Sequence, residues 1–118
     1  MEEMIQVFLS AIRKQSHVLK LIENLDVLKI KLISDNAEEI LVFHRGEVFL
    51  LVDNDESAGT YVISGERNSI YSLLQGKEKL RNLIHYKKLN ITAPFRTILL
   101  IESIFYLTRP EEKYSIIS

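Results

Sequence analysis

The 118-residue sequence has no cysteine and no tryptophan, and only four glycines and two prolines. Without cysteine there is no disulfide, no thiolate nucleophile and no thiolate metal ligand, a composition compatible with a reducing compartment. Gly46, Gly59, Gly65 and Gly76 are too scattered to cradle a phosphate, and each fits a turn or a helix cap. Neither charge dominates: 15 Lys and Arg against 16 Asp and Glu leave a net charge of −1, so no nucleic-acid partner is expected and nothing draws the whole molecule to an anionic membrane. No apolar run approaches the roughly 18 residues of a membrane span. The first residues, Met1-Glu2-Glu3-Met4, are acidic where a secretory leader is basic, so the expected location is cytoplasmic.

Catalytic and metal-binding patterns are missing as well. His17, His44 and His85 fall on three different segments and form no H-x-x-x-H pair. There is no G-x-S-x-G elbow, and Ser64-Gly65-Glu66 reads as a helix N-cap. Asp53, Asp55 and Glu56 lack the glycine and terminal glutamate of a calcium loop, which leaves a solvated loop. Asn90-Ile91-Thr92 matches a glycosylation acceptor but has no secretory context. The chain is therefore expected to be no enzyme and to carry no cofactor and no metal. One charged cluster, Lys77, Lys79, Arg81, Lys87 and Lys88, is either a solvated helix face or a contact for lipid headgroups or phosphates.

What is present is apolar periodicity: 47% hydrophobic residues in a chain long enough for one domain and one core. Residues 2–23 carry Met4, Phe8, Ala11, Ile12, Val18, Leu19 and Ile22 at helical spacing, with Ser16-His17 as a point where the helix can divide in two. From Asp26 to Ile33, Leu28, Ile30 and Leu32 alternate with Lys29 and Lys31, the pattern of a strand with one wet face. Further strands are expected over 39–44, 47–52 and 60–63, with a reversal at Arg45-Gly46 and a polar loop over 53–59. Short connections favour a four-strand antiparallel meander. Ser64 then caps a helix ending at Gly76, a short helix spans 77–84, and Leu89 and Ile91 point inward from a strand over 88–92. Pro94 opens a last helix running to about Leu107, and residues 109–118 form a loose tail.

That last helix is apolar nearly all round. Phe95, Ile98, Leu99, Ile101 and Phe105 cover one side, and Leu100, Ile104 and Leu107 the other. A surface helix needs one apolar stripe, so the second requires a partner: another helix of the domain, a second subunit in a homodimer, or an apolar ligand.

The segment from Asp26 to about Leu107 resembles the sterol carrier protein type 2 family. The resemblance rests on the order of Val62-Ile63-Ser64-Gly65, Leu73-Leu74-Gln75-Gly76 and Lys88-Leu89-Asn90-Ile91 before a terminal apolar helix. Lys88, Leu89 and Ile91 match a G-K-L-x-I-x-G strand of that family. Lys87 stands in place of its first glycine and Ala93 in place of its second, and the tryptophan often found in the family's sheet is absent. The resemblance implies an α+β fold, a mostly antiparallel five-stranded sheet covered by helices, with a tunnel between them for fatty acyl chains, sterols or other lipids. Its walls in this chain would be Leu73, Leu74, Leu80, Ile98, Ile101, Ile104 and Phe105, with Arg96 or Tyr71 at the mouth. The alternative is an interaction domain of the same fold, its tunnel filled by side chains, that dimerises through the last helix.

Overall fold

The computed structural model describes residues 2–51 and 59–110. In chain order the elements are α1 (Glu2–Ile12), α2 (Ser16–Ile22), β1 (Leu28–Ser34), β2 (Ala37–His44), β3 (Glu47–Leu51), β4 (Thr60–Gly65), α3 (Arg67–Gln75), α4 (Leu80–His85), β5 (Leu89–Ile91) and α5 (Phe95–Thr108). The fold is α+β, with one five-stranded sheet in the order β3-β2-β1-β4-β5.

The four-strand meander expected from the sequence does not form. β1, β2 and β3 do follow one another as antiparallel hairpins, but β4 pairs with the far side of β1, in parallel, and β5 closes that edge antiparallel to β4. The hairpins leave one edge of β1 open. The stretch from Leu51 to Thr60 is longer than a tight hairpin needs, so the chain can return to that edge. The pairing sets Ile63 beside Leu32 and makes β1 central. Within the hairpins, Arg45 and Gly46 both take positive φ, 49° and 85°, as the favoured two-residue reversal requires. Residues 53–58 of the expected polar loop and 111–118 of the expected tail lie outside the described residues.

The N-terminal helix is two helices. Gln15 is extended (φ −104°, ψ 90°), and the turn lets Val18 and Ile22 of α2 enter the same core as Ile5, Phe8, Leu9 and Ile12 of α1. Arg13, in the break, donates from Nη2 to the Val48 carbonyl at 3.0 Å and ties the turn to β3. Ser64 is not a cap: it lies within β4, and Glu66 occupies the extended position before α3. Pro94 likewise precedes α5, with φ −62° and ψ 152°.

All five helices share one core with a single face of the sheet, from which Leu28, Ile30, Leu32, Leu41, Phe43, Val48, Ile63 and Leu89 project. Each such side chain, fully buried, contributes roughly 1.5–3 kcal/mol. The other face holds a smaller apolar strip. Ile40 and Val42 are only 6% and 4% exposed yet lie outside the core. They stand in register with Lys31 and Lys29 on one side and with Leu51 and Phe49 on the other. Lysine stems can cover apolar surface while keeping their charge in water.

Candidate functional site: an apolar interior beneath the helices

Helical spacing selects what faces inward. Ile70, Leu73 and Leu74 form the buried stripe of α3, Leu80 and Leu83 that of α4, and Ile101, Ile104, Phe105 and Thr108 that of α5. The one hydroxyl in the α5 stripe is satisfied, Thr108 Oγ1 donating to the Ile104 carbonyl at 2.7 Å. Of the seven wall residues expected from the sequence, Leu73, Leu74, Leu80, Ile101, Ile104 and Phe105 are buried in this one core, and Ile98 packs against it half-buried. The Phe105 ring meets Phe8 of α1, with centroids 4.9 Å apart and planes tilted by 32°. The α1 stripe is thus the part of the interior that the expected wall omitted. Its periodicity was visible, but periodicity does not say which helix it will meet.

The outer flank of α5 is treated differently. Leu99 and Leu100 are half-buried, while Phe95 and Leu107 are exposed. The closest backbone neighbours of α5 are the other four helices.

Ser34 and Glu39 also lie on the inner face of the sheet, and neither was foreseeable from the residue pattern. Ser34 ends the inward series of β1, and its buried Oγ has no hydrogen-bond partner. Glu39, in register with Leu32, has its carboxyl pushed above the usual range, chiefly by burial and then by the charge of Glu2. Of the expected mouth residues, Tyr71 is half-buried and Arg96 exposed.

The basic cluster divides. Arg81 on α4 is clamped by Glu102 on α5: its backbone N–H donates to Oε1 at 2.9 Å, and its guanidinium donates to both carboxylate oxygens, the shortest contact being 2.8 Å. The Arg81 hydrogen bond holds the Glu102 carboxyl below its usual range, against the upward push of burial. Lys79 and Arg109 flank the Tyr106 ring at 5.0 and 4.7 Å. Lys77, Lys79 and Arg81 border an open hollow of about 390 Å³ with Glu102 and Tyr106. A second open hollow, about 610 Å³, lies between α2 and the Arg45-Gly46 turn. None of the seven wall residues borders either. Among the described residues no three His, Asp or Glu side chains gather to hold a metal, and no helix is long and apolar enough to cross a membrane.

No protein-family model matches the sequence, and no curated protein matches it. Solved structures do. A UbiJ-SCP2 ubiquinone synthesis protein superposes with a TM-score of 0.67 at 13% identity, over 91% of this chain and 88% of that one. Sterol carrier protein 2 from Yarrowia lipolytica, in its apo form, gives 0.58 at 14%, over 90% and 89%. The second sterol carrier protein domain of Helicoverpa armigera gives 0.59 at 11%, over 93% and 87%.

The chain has the sterol carrier protein 2 fold.

Within that fold, the short motifs that prompted the resemblance have physical reasons. A Cβ on Gly65 would stand 2.4 Å from the Lys88 carbonyl, so the β4–β5 crossing leaves room for glycine alone. Gly76 closes α3 with φ 72°: its N–H reaches the Leu73 carbonyl, and the Lys77 N–H reaches Ser72. The departure at Lys87 falls on the same kind of backbone. Lys87 closes α4 with φ 60°, its N–H on the Ile84 carbonyl and the Lys88 N–H on Leu83. Both ends are Schellman motifs, whose left-handed position usually belongs to glycine.

Proposed function

We propose that this chain is a non-catalytic binding module for an apolar ligand (a fatty acyl chain, a sterol or another lipid) held between the sheet and the helices. The observation that carries the reading is the common core of α3, α4, α5 and the inner sheet face, in a fold shared with sterol carrier proteins. Leu73, Leu74 and Leu80 supply one wall, and Ile98, Ile101, Ile104 and Phe105 the other. The driving force is desolvation, about 0.8 kcal/mol for each methylene buried. Because Phe8 packs on Phe105, an entering chain displaces the Phe8 ring and α1 with it. Ser34 and Glu39, two polar groups on the inner face, then meet the ligand's polar end. The likeness to a ubiquinone synthesis protein puts quinones with apolar tails among the ligands to assay.

Native mass spectrometry of protein purified from cells, followed by organic extraction, tests the reading. A lipid near one per chain supports it. An apo-protein that also fails to take up a fluorescent fatty acid overturns it. Ile98, half-buried, is the wall position at which to disturb binding. A charge at Ile101 or Phe105 would be fully buried and would unfold the domain.

The exposed Leu107, beside half-buried Leu99 and Leu100, favours a second reading, an interaction domain that dimerises through α5. It requires a concentration-dependent oligomer with no extractable lipid, and a strict monomer in sedimentation at high concentration excludes it.

A further inference from the structure

Between Glu78 and Glu102 the chain has no acidic residue, yet this stretch carries Lys79, Arg81, His85, Lys87, Lys88 and Arg96. In a protein of net charge −1, that is a local excess of one sign. The two most exposed large apolar or aromatic side chains among the described residues lie in the same stretch, Tyr86 at 67% and Phe95 at 62%. Tyr86 directly follows the last residue of α4, and Phe95 is the first of α5. Lys79 Nζ lies over the Tyr106 ring at 5.0 Å, and Arg81, further along α4, reaches Glu102, which is earlier in α5, at 2.8 Å. This order of contacts sets the two helices antiparallel, with β5 and its short flanks linking the end of α4 to the start of α5. Arg81 is neutralised within this pair. By the β4–β5 register the neighbouring acid is Glu66, which follows Gly65 opposite Leu89, and Arg67 beside it offsets its charge.

We infer that this ridge, His85, Tyr86, Lys87, Lys88, Phe95 and Arg96, docks the protein on an anionic lipid surface. Exposed aromatic rings enter the headgroup boundary while adjacent lysines and arginines meet anionic headgroups. Single-stranded nucleic acid, the other polyanion that takes aromatics and cations, binds along a groove with stacking platforms rather than on a projecting helix end. Lys87 adds an independent point. It holds a left-handed conformation where glycine is unstrained, so its side chain is present at a conformational cost. The surface stands whether or not the interior takes a ligand, since vesicle binding reads the first and lipid extraction the second.

Cosedimentation with vesicles of phosphatidylglycerol and phosphatidylcholine, compared with phosphatidylcholine alone, is the test. The protein is expected to bind the anionic vesicles, to release as salt rises, and to bind neutral vesicles at least about tenfold more weakly. The double changes Tyr86→Ala with Phe95→Ala, and Lys87→Gln with Lys88→Gln, are each expected to weaken binding roughly tenfold or more. These side chains are exposed, so both variants keep the wild-type circular dichroism and melting curve. Val27→Ser, an exposed apolar change away from the ridge, leaves binding unchanged. No binding to anionic vesicles overturns the inference, as do wild-type affinities in both double variants. So does an RNA homopolymer that strips the protein from the vesicles, which would mark the ridge as a nucleic-acid contact.

Discussion

The ends of α3 and α4 solve one backbone problem with opposite residues. At both, the chain turns through a left-handed residue whose N–H bonds back three positions, and the next N–H bonds back five. At α3 that residue is Gly76, which is buried: a Cβ there would stand 2.5 Å from Arg109 Cγ. At α4 it is Lys87, exposed to solvent. The inward-facing turn has neither the room nor the conformational latitude for a side chain. The outward-facing one has room, so it can carry a long cation at the cost of the positive φ, about 1–2 kcal/mol. The contrast separates a turn fixed by packing from one that spends stability on its surface.

Making the α3 end resemble the α4 end gives the largest effect. Gly76→Lys adds the left-handed penalty to the displacement of Arg109, and a loss of about 2–4 kcal/mol is expected in urea denaturation. A loss below 1 kcal/mol would show that Arg109 moves aside freely and that burial does not distinguish the two turns.

The start of α4 provides a second, intermediate test, because Glu102 anchors the helix whose other end is strained. Glu102→Gln removes the charge from a nearly buried group but leaves an acceptor for the Arg81 backbone N–H. With Arg81 half-exposed and screened, the expected loss near neutral pH is about 1–2 kcal/mol. The pH dependence has a definite sign. The folded-state pKa of Glu102 is lowered, so its contribution is fully present above the unfolded value and disappears as pH falls through the lowered folded value. The stability difference between wild type and variant should therefore be flat near neutrality and close in acid below the ordinary glutamate range. A gap that persists there would assign the effect to packing rather than to charge.

The same contrast marks how far the sequence could be read. Strand identity and facing were legible wherever apolar and charged residues alternate, as in Leu28 to Leu32. The left-handed end of α3 was legible because Gly76 announces it. The end of α4 was not, because a lysine carries no turn signal, and the short helix was expected three residues too early, from Lys77 instead of Leu80. Strand order escaped for another reason: side-chain period fixes which face is buried, not which edge finds a partner, so nothing in Thr60 to Gly65 says that β4 will pair with β1. Of the interior, the expected wall residues of α3 and α4 are buried, but the two sides expected for α5 do not hold: Ile104, expected opposite Ile101 and Phe105, is buried with them, and Phe95 is exposed. The meeting of Phe8 with Phe105 joins residues far apart in the chain and follows from the fold alone. Ser34 and Glu39 were invisible for a similar reason, since a polar residue at a strand end looks like the start of a turn until register places it on the inner face.

The smallest expected effect is also the most discriminating. Lys87→Gly relieves the positive φ at the end of α4 and should raise stability by up to about 1 kcal/mol, read as a higher urea midpoint at unchanged slope. The gain stays below the full left-handed penalty because glycine also loosens the unfolded chain. If Lys87 serves the lipid-facing ridge, the same change should weaken binding to anionic vesicles several-fold, at about 1 kcal/mol per basic residue near the surface. A variant that is more stable yet binds vesicles less well would show that the strain at α4 is retained for the cation it presents. A variant that gains stability and binds like wild type would leave Lys87 with no role on the ridge, and only the crowding against Arg109 would then separate the two helix ends.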